Sequence, residues 1–323
     1  MSPEGLAAFR EELSPSDEVA MEAGPNAYYF HDQVAAVIAR VVIVSPPQFA
    51  VIAKSTKKTD RQDAIALARF LKLGCLPEVS LPSPKIRELR QLFTTREMLV
   101  SIGRGLKNMG HAALIRNGLI STKASFATHI GRQRLARLDG LPPSDRLILD
   151  AVLRQLDAVD TEIAQLERAI IRAGKNLPGL KRLLQIRGFG LVAAIGVLTE
   201  IGDIHNFASA KQLVSYAGLA TSVRQSGSMD RRGHITKAGR KRLRGFLVEA
   251  VLSMIRDQAH NSMSTFYQRK KKEKGAGKAI CATAHKLLTI VYTILTKELD
   301  YWFLEERLYQ KKLKALEKVE AAA

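Results

Sequence analysis

The stretch SVRQSGSMDRRGHITKAGRKRLRG, residues 222–245, carries three serines, four glycines and eight Arg or Lys side chains, with almost nothing apolar to bury. A serine hydroxyl between glycines can attack phosphorus when cations neutralise the phosphate and a base takes the proton. Ser226, in QSG, has Arg224, Arg231, Arg232, Lys237, Arg240 and Lys241 close in sequence, and His234 is the only nearby base that titrates near neutral pH. The same composition suits a solvated loop that contacts phosphates without cutting them. Composition does not choose between these readings, nor does it pick Ser226 over Ser222 or Ser228.

Three acids form a second constellation. Asp60 and Asp63, in KKTDRQDA, share one face at a helix start, about 5–6 Å apart. Glu22 closes the strand VAME ahead of Gly24, so it projects from the C-terminal edge of a sheet, where α/β sites form. Three converging carboxylates with oxygen-only ligation suit Mg²⁺, and Mg²⁺ suits phosphodiester chemistry. Asp60 and Asp63 would look the same if they only complemented a helix dipole. A third feature is LLQIRGFGLVAAIGVLTEIGD, an Ile-x-Gly-x-Gly turn leading directly into an apolar helix. This is the form of a helix-hairpin-helix, in which Gly188 and Gly190 let backbone N–H groups at a helix N-terminus approach a phosphate. A tight helix–helix turn would use the same glycines.

The elements that must position these residues change along the chain. Residues 1–80 read as α/β: a short helix to about Leu13 opened by Ser2 and Pro3, the strand EVAME, a helix in NAYYFHDQVAAVIAR, the strand VVIVSPP and the helix TDRQDAIALARFLKLG ended by Gly74. The strands are expected to be buried and parallel. Two strands do not make a stable sheet, so further strands are expected outside this sequence. Residues 81–176 read as a helical arm. It consists of a basic helix over 85–118 and a second over 145–173, where Leu149, Val152, Leu156, Val159, Ile163, Leu166 and Ile170 form an unbroken heptad seam. The pair suggests an antiparallel coiled coil whose seam packs either on the chain itself or on a second copy. Residues 177–323 read as a mostly helical domain whose last apolar helix, HKLLTIVYTILTKELDYWFLEERL, takes Trp302 and Phe303 into the core.

The formal net charge is +19, and residues 221–280 hold 15 Lys and Arg against four acids, a net of +11. Charge so concentrated points to a polyanion, and nucleic acid fits better than a membrane surface because the segment lacks an amphipathic helix with Trp or Phe opposite the cations. No apolar run approaches the roughly 18–20 residues of a membrane span, so no membrane is expected. The N-terminus has no basic stretch followed by an apolar one, which makes a cytoplasmic location the default. Cys75 and Cys281 lie outside any CxxC spacing, support neither a disulfide framework nor a zinc site, and read as small buried apolar residues.

VAMEAGPNAYYF, KKTDRQDAIALARFL, LLQIRGFGLVAAIGVLTEIGDIHNFASAKQLVSYAGLATSVRQSGS and GHITKAGRKRLRGFLVEA follow one another along nearly the whole chain. In that order and spacing they resemble the bacterial insertion-sequence 110 transposases with their 1111 subgroup. The resemblance implies an RNase H-like (RuvC-like) domain with an Asp-Glu-Asp-Asp metal site, onto whose second, third and fourth acids Glu22, Asp60 and Asp63 fall. It also implies a C-terminal domain whose Ser-Gly motif places the catalytic serine at Ser226. It further implies recombination of DNA guided by a structured bridge RNA, with assembly into dimers or tetramers through the coiled coil. The family's first acid lies on an opening strand, and no Asp of this chain replaces it, since Asp17 precedes a later strand. The expectation is therefore an incomplete RNase H-like domain in an N-terminally truncated chain. The alternative function is a defective element product that binds nucleic acid without cutting it.

Overall fold

The computed structural model describes residues 2–24, 26–46, 49, 59–226, 229–256 and 262–321. The chain divides into two compact units, Met1–Ser83 and Pro84–Ala323.

In the first unit, helix α1 (Pro3–Glu11) starts as its sequence directs: Ser2 accepts from the Gly5 N–H, and proline occupies the first turn, where its missing N–H costs nothing. Strand β1 (Glu18–Glu22) lies parallel to β2 (Arg40–Val44), in register from Glu18↔Arg40 to Glu22↔Val44. Helix α2 (Ala27–Val34) crosses between them. Helix α3 (Asp60–Lys72) is capped by Thr59, which accepts from the Gln62 N–H, and Gly74 follows it at φ +65. Strand alternation gives each face of the sheet its own packing partners, but the expectation of two buried strands holds only for β2, since β1 is half-buried in its middle and exposed at both ends. Val19 and Val41 pack with Leu6, Val34 and Ile38 of α1, α2 and the chain that follows, while Ala20, Val42 and Val44 pack with Leu67 and Phe70 of α3. Among the described residues the sheet has these two strands, with an isolated antiparallel bridge from Val44 to Glu78.

The second unit opens with α4 (Pro84–Arg116), continues through the short helices α5 (Lys123–Ala127) and α6 (His129–Ala136), and returns along α7 (Pro143–Gly174). Arg96 binds Glu167 at 2.6 Å and Arg116 binds Asp145 at 2.6 Å, so α4 and α7 run antiparallel. Gly110 of α4 makes room for Phe126, since a Cβ there would fall 2.5 Å from the ring. Arg132, nearly buried, ties α6 down by donating to the Phe126 carbonyl at 2.8 Å and to Asp157 and Asp160 on α7. Burial opposes its charge, but the two carboxylates outweigh that and raise its pKa above the ordinary guanidinium value.

The heptad seam lies along α7. Leu149, Val152, Leu156, Val159 and Ile170 are buried, while Ile163 and Leu166 are half-buried. Its middle is covered from within the chain, as the approach of Val159 to Gly103 and of Val152 to Gly110 shows. Leu156→Asp should therefore cost at least about 3 kcal/mol by placing an unpaired charge in this seam. The expected result is a lower melting temperature with an unchanged sedimenting mass. A halved mass at unchanged stability would put the seam between two copies.

The remaining helices are α8 (Leu180–Leu184), α9 (Leu191–Ile201), α10 (Ala210–Tyr216), α11 (Lys241–Arg256), α12 (Ser262–Lys274), α13 (Ala276–Lys297) and α14 (Glu306–Ala321). They share one core with the base of the arm, where Leu89, Phe93, Ile170 and Ile171 join it. Three expectations need correction here. Helix α13 is long and apolar enough to cross a membrane by length and composition, but Ala284, Leu287, Leu288, Val291 and Ile294 make it a core helix of this unit. It stops at Lys297 because Glu298 turns left-handed at φ 53. The chain beyond is drawn aside by Gln185, so Tyr301 enters the core while Trp302 and Phe303 stay exposed. Cys75 is exposed and Cys281 half-buried, so neither is a fully buried apolar residue; Cys75 directs its thiol at the Leu73 carbonyl just past the end of α3.

Candidate recombination site and nucleic-acid interface

The serine- and arginine-rich stretch is not a loop. Thr221–Ser226 forms strand β3 and Met229–Ile235 forms β4, paired antiparallel. Their register sets Thr221 opposite Ile235, Val223 opposite Arg232, Arg224 opposite Arg231 and Ser226 opposite Met229. Ser226 thus ends β3 at the hairpin tip, beside the two residues that join the strands. Ser228, the alternative nucleophile, lies outside the described residues. Ser222 falls at a register shift, where its hydroxyl donates to the His234 carbonyl at 3.2 Å and helps close the hairpin base. His234 is therefore level with Ser222, and a strand rises about 3.3 Å per residue. Its backbone is thus roughly 13 Å along the hairpin from Ser226, and the fold does not bring the two together.

The hairpin is rooted firmly. The Thr236 N–H donates to the Ala220 carbonyl at 2.8 Å, that of Lys237 to Gly218 at 3.1 Å and that of Arg240 to Tyr216 at 2.9 Å. Lys237 is exposed and left-handed at φ 54. Gly239, at φ +115, lies so close that a Cβ would fall 2.2 Å from the Tyr216 carbonyl oxygen. Arg240 is committed to this root: its Nε donates to the Tyr216 hydroxyl at 2.8 Å and its guanidinium lies 5.7 Å from the ring centre. Lys241 is exposed at the start of α11.

Below the root is a buried ionic network that the sequence reading did not single out. Glu200, only 2% exposed, accepts from Arg242 at 2.9 Å. Arg242 reaches on to Thr94 and Glu97 of α4. Arg90 of α4 donates to the Thr199 and Glu200 carbonyls, and the Tyr216 hydroxyl also donates to the Glu200 carbonyl. Burial opposes the charge of Arg242, but Glu97 and Glu200 outweigh it and raise its pKa. The arm, the hairpin root and α11 are thereby joined. An acid late in an otherwise apolar helix, LVAAIGVLTEI, was the available signal.

Gly188 and Gly190 separate in role. A Cβ on Gly188 would fall 2.5 Å from the Ala250 carbonyl oxygen of α11, so this glycine allows two segments to pack closely. Gly190 is exposed at the N-cap of α9 with nothing near its Cβ position. Among the acids, Glu22 has the strand parity of Ala20 and so lies on the α3 side of the sheet, with Asp63 on the helix face that includes Ala66 and Phe70. Glu22 and Asp60 are exposed and Asp63 is half-buried. Among the described residues no group of three His, Cys, Asp or Glu side chains could hold a metal ion, so the carboxylates as placed do not fit Mg²⁺.

Residues 180–268 match the model described as Transposase IS116/IS110/IS902 family, and residues 8–116 match a second transposase model, of the DEDD type of the insertion-sequence 110 group. A pilin gene-inverting protein of Moraxella bovis is 30% identical over 266 residues, covering 79% of this chain and 72% of its own. The chain belongs to the insertion-sequence 110 transposase family. The transposase for insertion sequence element IS1111A of Coxiella burnetii is 24% identical over 287 residues, covering 88% of this chain and 79% of its own. A putative transposase of Sinorhizobium fredii is 30% identical over 228 residues, covering 71% of this chain and 56% of its own. Insertion-sequence 110 transposases are DNA-recombining proteins, and the hairpin lies inside the first matched segment.

Proposed function

We propose that this insertion-sequence 110 transposase cuts and rejoins DNA with Ser226 as nucleophile. The observation that carries the reading is the position of Ser226 at the tip of a hairpin whose register sets Arg224 against Arg231 and whose base is fixed to the core. The serine oxygen bonds to phosphorus as the bond to the deoxyribose oxygen breaks; the serine gives up its proton and the leaving oxygen gains one. The phosphoserine link then yields to a second deoxyribose hydroxyl, which rejoins the strand without external energy.

In this proposal the cationic hairpin and the start of α11 bind DNA and a structured guide RNA, Gly190 offers an open helix N-terminus to phosphate, and the chain works as a homodimer or homotetramer. Residues 1–80 are assigned as part of an RNase H-like domain, 81–176 as a coiled-coil arm and 177–323 as the transposase domain with a helix-hairpin-helix-like element. Glu22, Asp60 and Asp63 are the acids that fall on the family's metal site, but no step is routed through Mg²⁺, because they are not gathered around one point. The second reading is a nucleic-acid binder that does not cut. Duplex binding by the unmodified chain, with no cleavage in Mg²⁺ and guide RNA, would select it.

Binding to duplex DNA should weaken steeply with salt, because basic side chains displace condensed counterions. Replacing Arg231, Arg232 and Lys241 together with Gln should lower the log–log slope by about 2–3. Arg240 is left in place because it holds Tyr216. An unchanged slope, measured by fluorescence anisotropy, would remove the hairpin from the contact surface.

A further inference from the structure

The connection between α13 and α14 leaves a large aromatic surface uncovered. Trp302 is 57% exposed and Phe303 53%, with Leu299 and Leu304 exposed beside them. The rings are held in place. Tyr301, 7% exposed, lies beneath with its ring centre 5.4 Å from Trp302 and 6.0 Å from Phe303. Its N–H donates to Gln185 at 2.6 Å, and Gln185 donates to Asp300 at 2.7 Å. Glu298 pairs with Arg182 at 3.2 Å and Glu305 pairs with Arg187. Rings fixed so firmly in an exposed position have lost their conformational freedom before any partner arrives.

Asp300 also lines a cleft of about 510 Å³ together with Lys175, Asn176, Lys181, Arg182 and Tyr309. Lys175, Lys181 and Arg182 line the cleft against the single carboxylate of Asp300, and Arg182 also pairs with Glu298, so the lining keeps a cationic excess that suits phosphate. The Trp302 and Phe303 rings stand at 61° to one another and so offer separate faces; exposed aromatic faces near cations are how unpaired nucleic acid is held, because every base has a π-face to stack and every linkage a charge to neutralise. A duplex keeps its bases stacked inside and offers none to the rings.

We propose that Trp302 and Phe303 form a stacking platform for unpaired bases, with Lys175, Lys181 and Arg182 holding the flanking phosphates, as a single-strand binding site separate from the hairpin. The proposal rests on the reading of the chain as a nucleic-acid-binding recombinase. The ligand chemistry is shared by unpaired RNA and displaced single-stranded DNA.

Trp302 is the chain's one tryptophan, so tryptophan emission of the full chain reports this site alone. The probes are a short oligouridine, an oligothymidine of the same length and a blunt duplex, each followed by its own anisotropy. The expected result is saturable quenching by one or both single strands and none by the duplex at equal occupancy. Trp302→Ala should weaken single-strand binding roughly 5- to 100-fold and leave duplex binding unchanged. Lys181→Gln should weaken it less while keeping the full quench. Preference for oligouridine assigns the platform to RNA, and preference for oligothymidine assigns it to displaced DNA. Single-strand binding at full occupancy with unquenched Trp302 would overturn the platform while leaving the nucleic-acid reading intact. A Trp302→Ala chain that binds single strands as the parent does would also overturn it, as would quenching that follows a rise in sedimenting mass without oligonucleotide, which would make the patch a protein contact. Absence of binding to all three probes would defeat the broader reading and this site with it.

Discussion

Ser226→Ala should abolish covalent attachment of the protein to DNA and all strand exchange, while duplex affinity stays within about twofold of the parent. In the proposed mechanism the substitution removes the attacking oxygen, while the Ser222 to His234 closure and the root at Tyr216 and Arg240 are made by other residues. Loss of a nucleophile removes an interaction made only as the bond forms, so chemistry falls and binding does not. Ser222→Ala breaks the bond to the His234 carbonyl and should lower activity through a less ordered hairpin, by roughly the worth of one hydrogen bond, about 1 kcal/mol or fivefold. The contrast is the useful measurement, made by gel shift for binding and by denaturing gel for adducts. Equal losses in the two variants would indicate that the hairpin needs its serines for structure alone.

Arg242→Met should lower the stability of the second unit by about 3–5 kcal/mol, because it leaves the carboxylate of Glu200 buried without its cation. For a unit of this size the melting temperature should fall by roughly 10 °C. Pairing the change with Glu200→Gln should recover much of the loss, since the uncompensated charge is then gone. Strand exchange should fall too, because Tyr216 hangs from the Glu200 carbonyl and Arg240 from Tyr216. A melting temperature within roughly 2 °C of the parent would mean that water or Arg90 compensates Glu200.

What was legible from sequence had strong local causes. Ser2, Pro3 and Thr59 cap their helices as their chemistry requires, the β-branched VVIV forms a buried strand, and the seam of α7 follows its heptads. The hairpin was missed because its strand-forming residues, Thr221, Val223 and Ile235, are outnumbered by cations, and pairing across the chain overrides composition. Trp302 and Phe303 were assigned to the core because apolar residues continue past Lys297; a left-handed Glu298 and a buried Gln185, one tertiary contact each, turn them outward. The double duty of glycine was also hidden: Gly188 and Gly190 look alike in sequence, yet only Gly188 has a backbone carbonyl where its Cβ would be. For the acids, helix spacing placed Asp60 and Asp63 near one another, but whether Glu22 converges on them depends on tertiary placement that spacing does not encode.

The most direct measurement is the identity of the residue joined to DNA. Protein–DNA adducts trapped during recombination, with guide RNA and Mg²⁺ present, are digested and the nucleotide-bearing peptide is mapped by mass spectrometry. The account predicts a single modified residue, Ser226, in the peptide spanning β3 and the hairpin tip. Modification at Ser222 or Ser228, or recombination that proceeds with no protein–DNA adduct at any time, would contradict it.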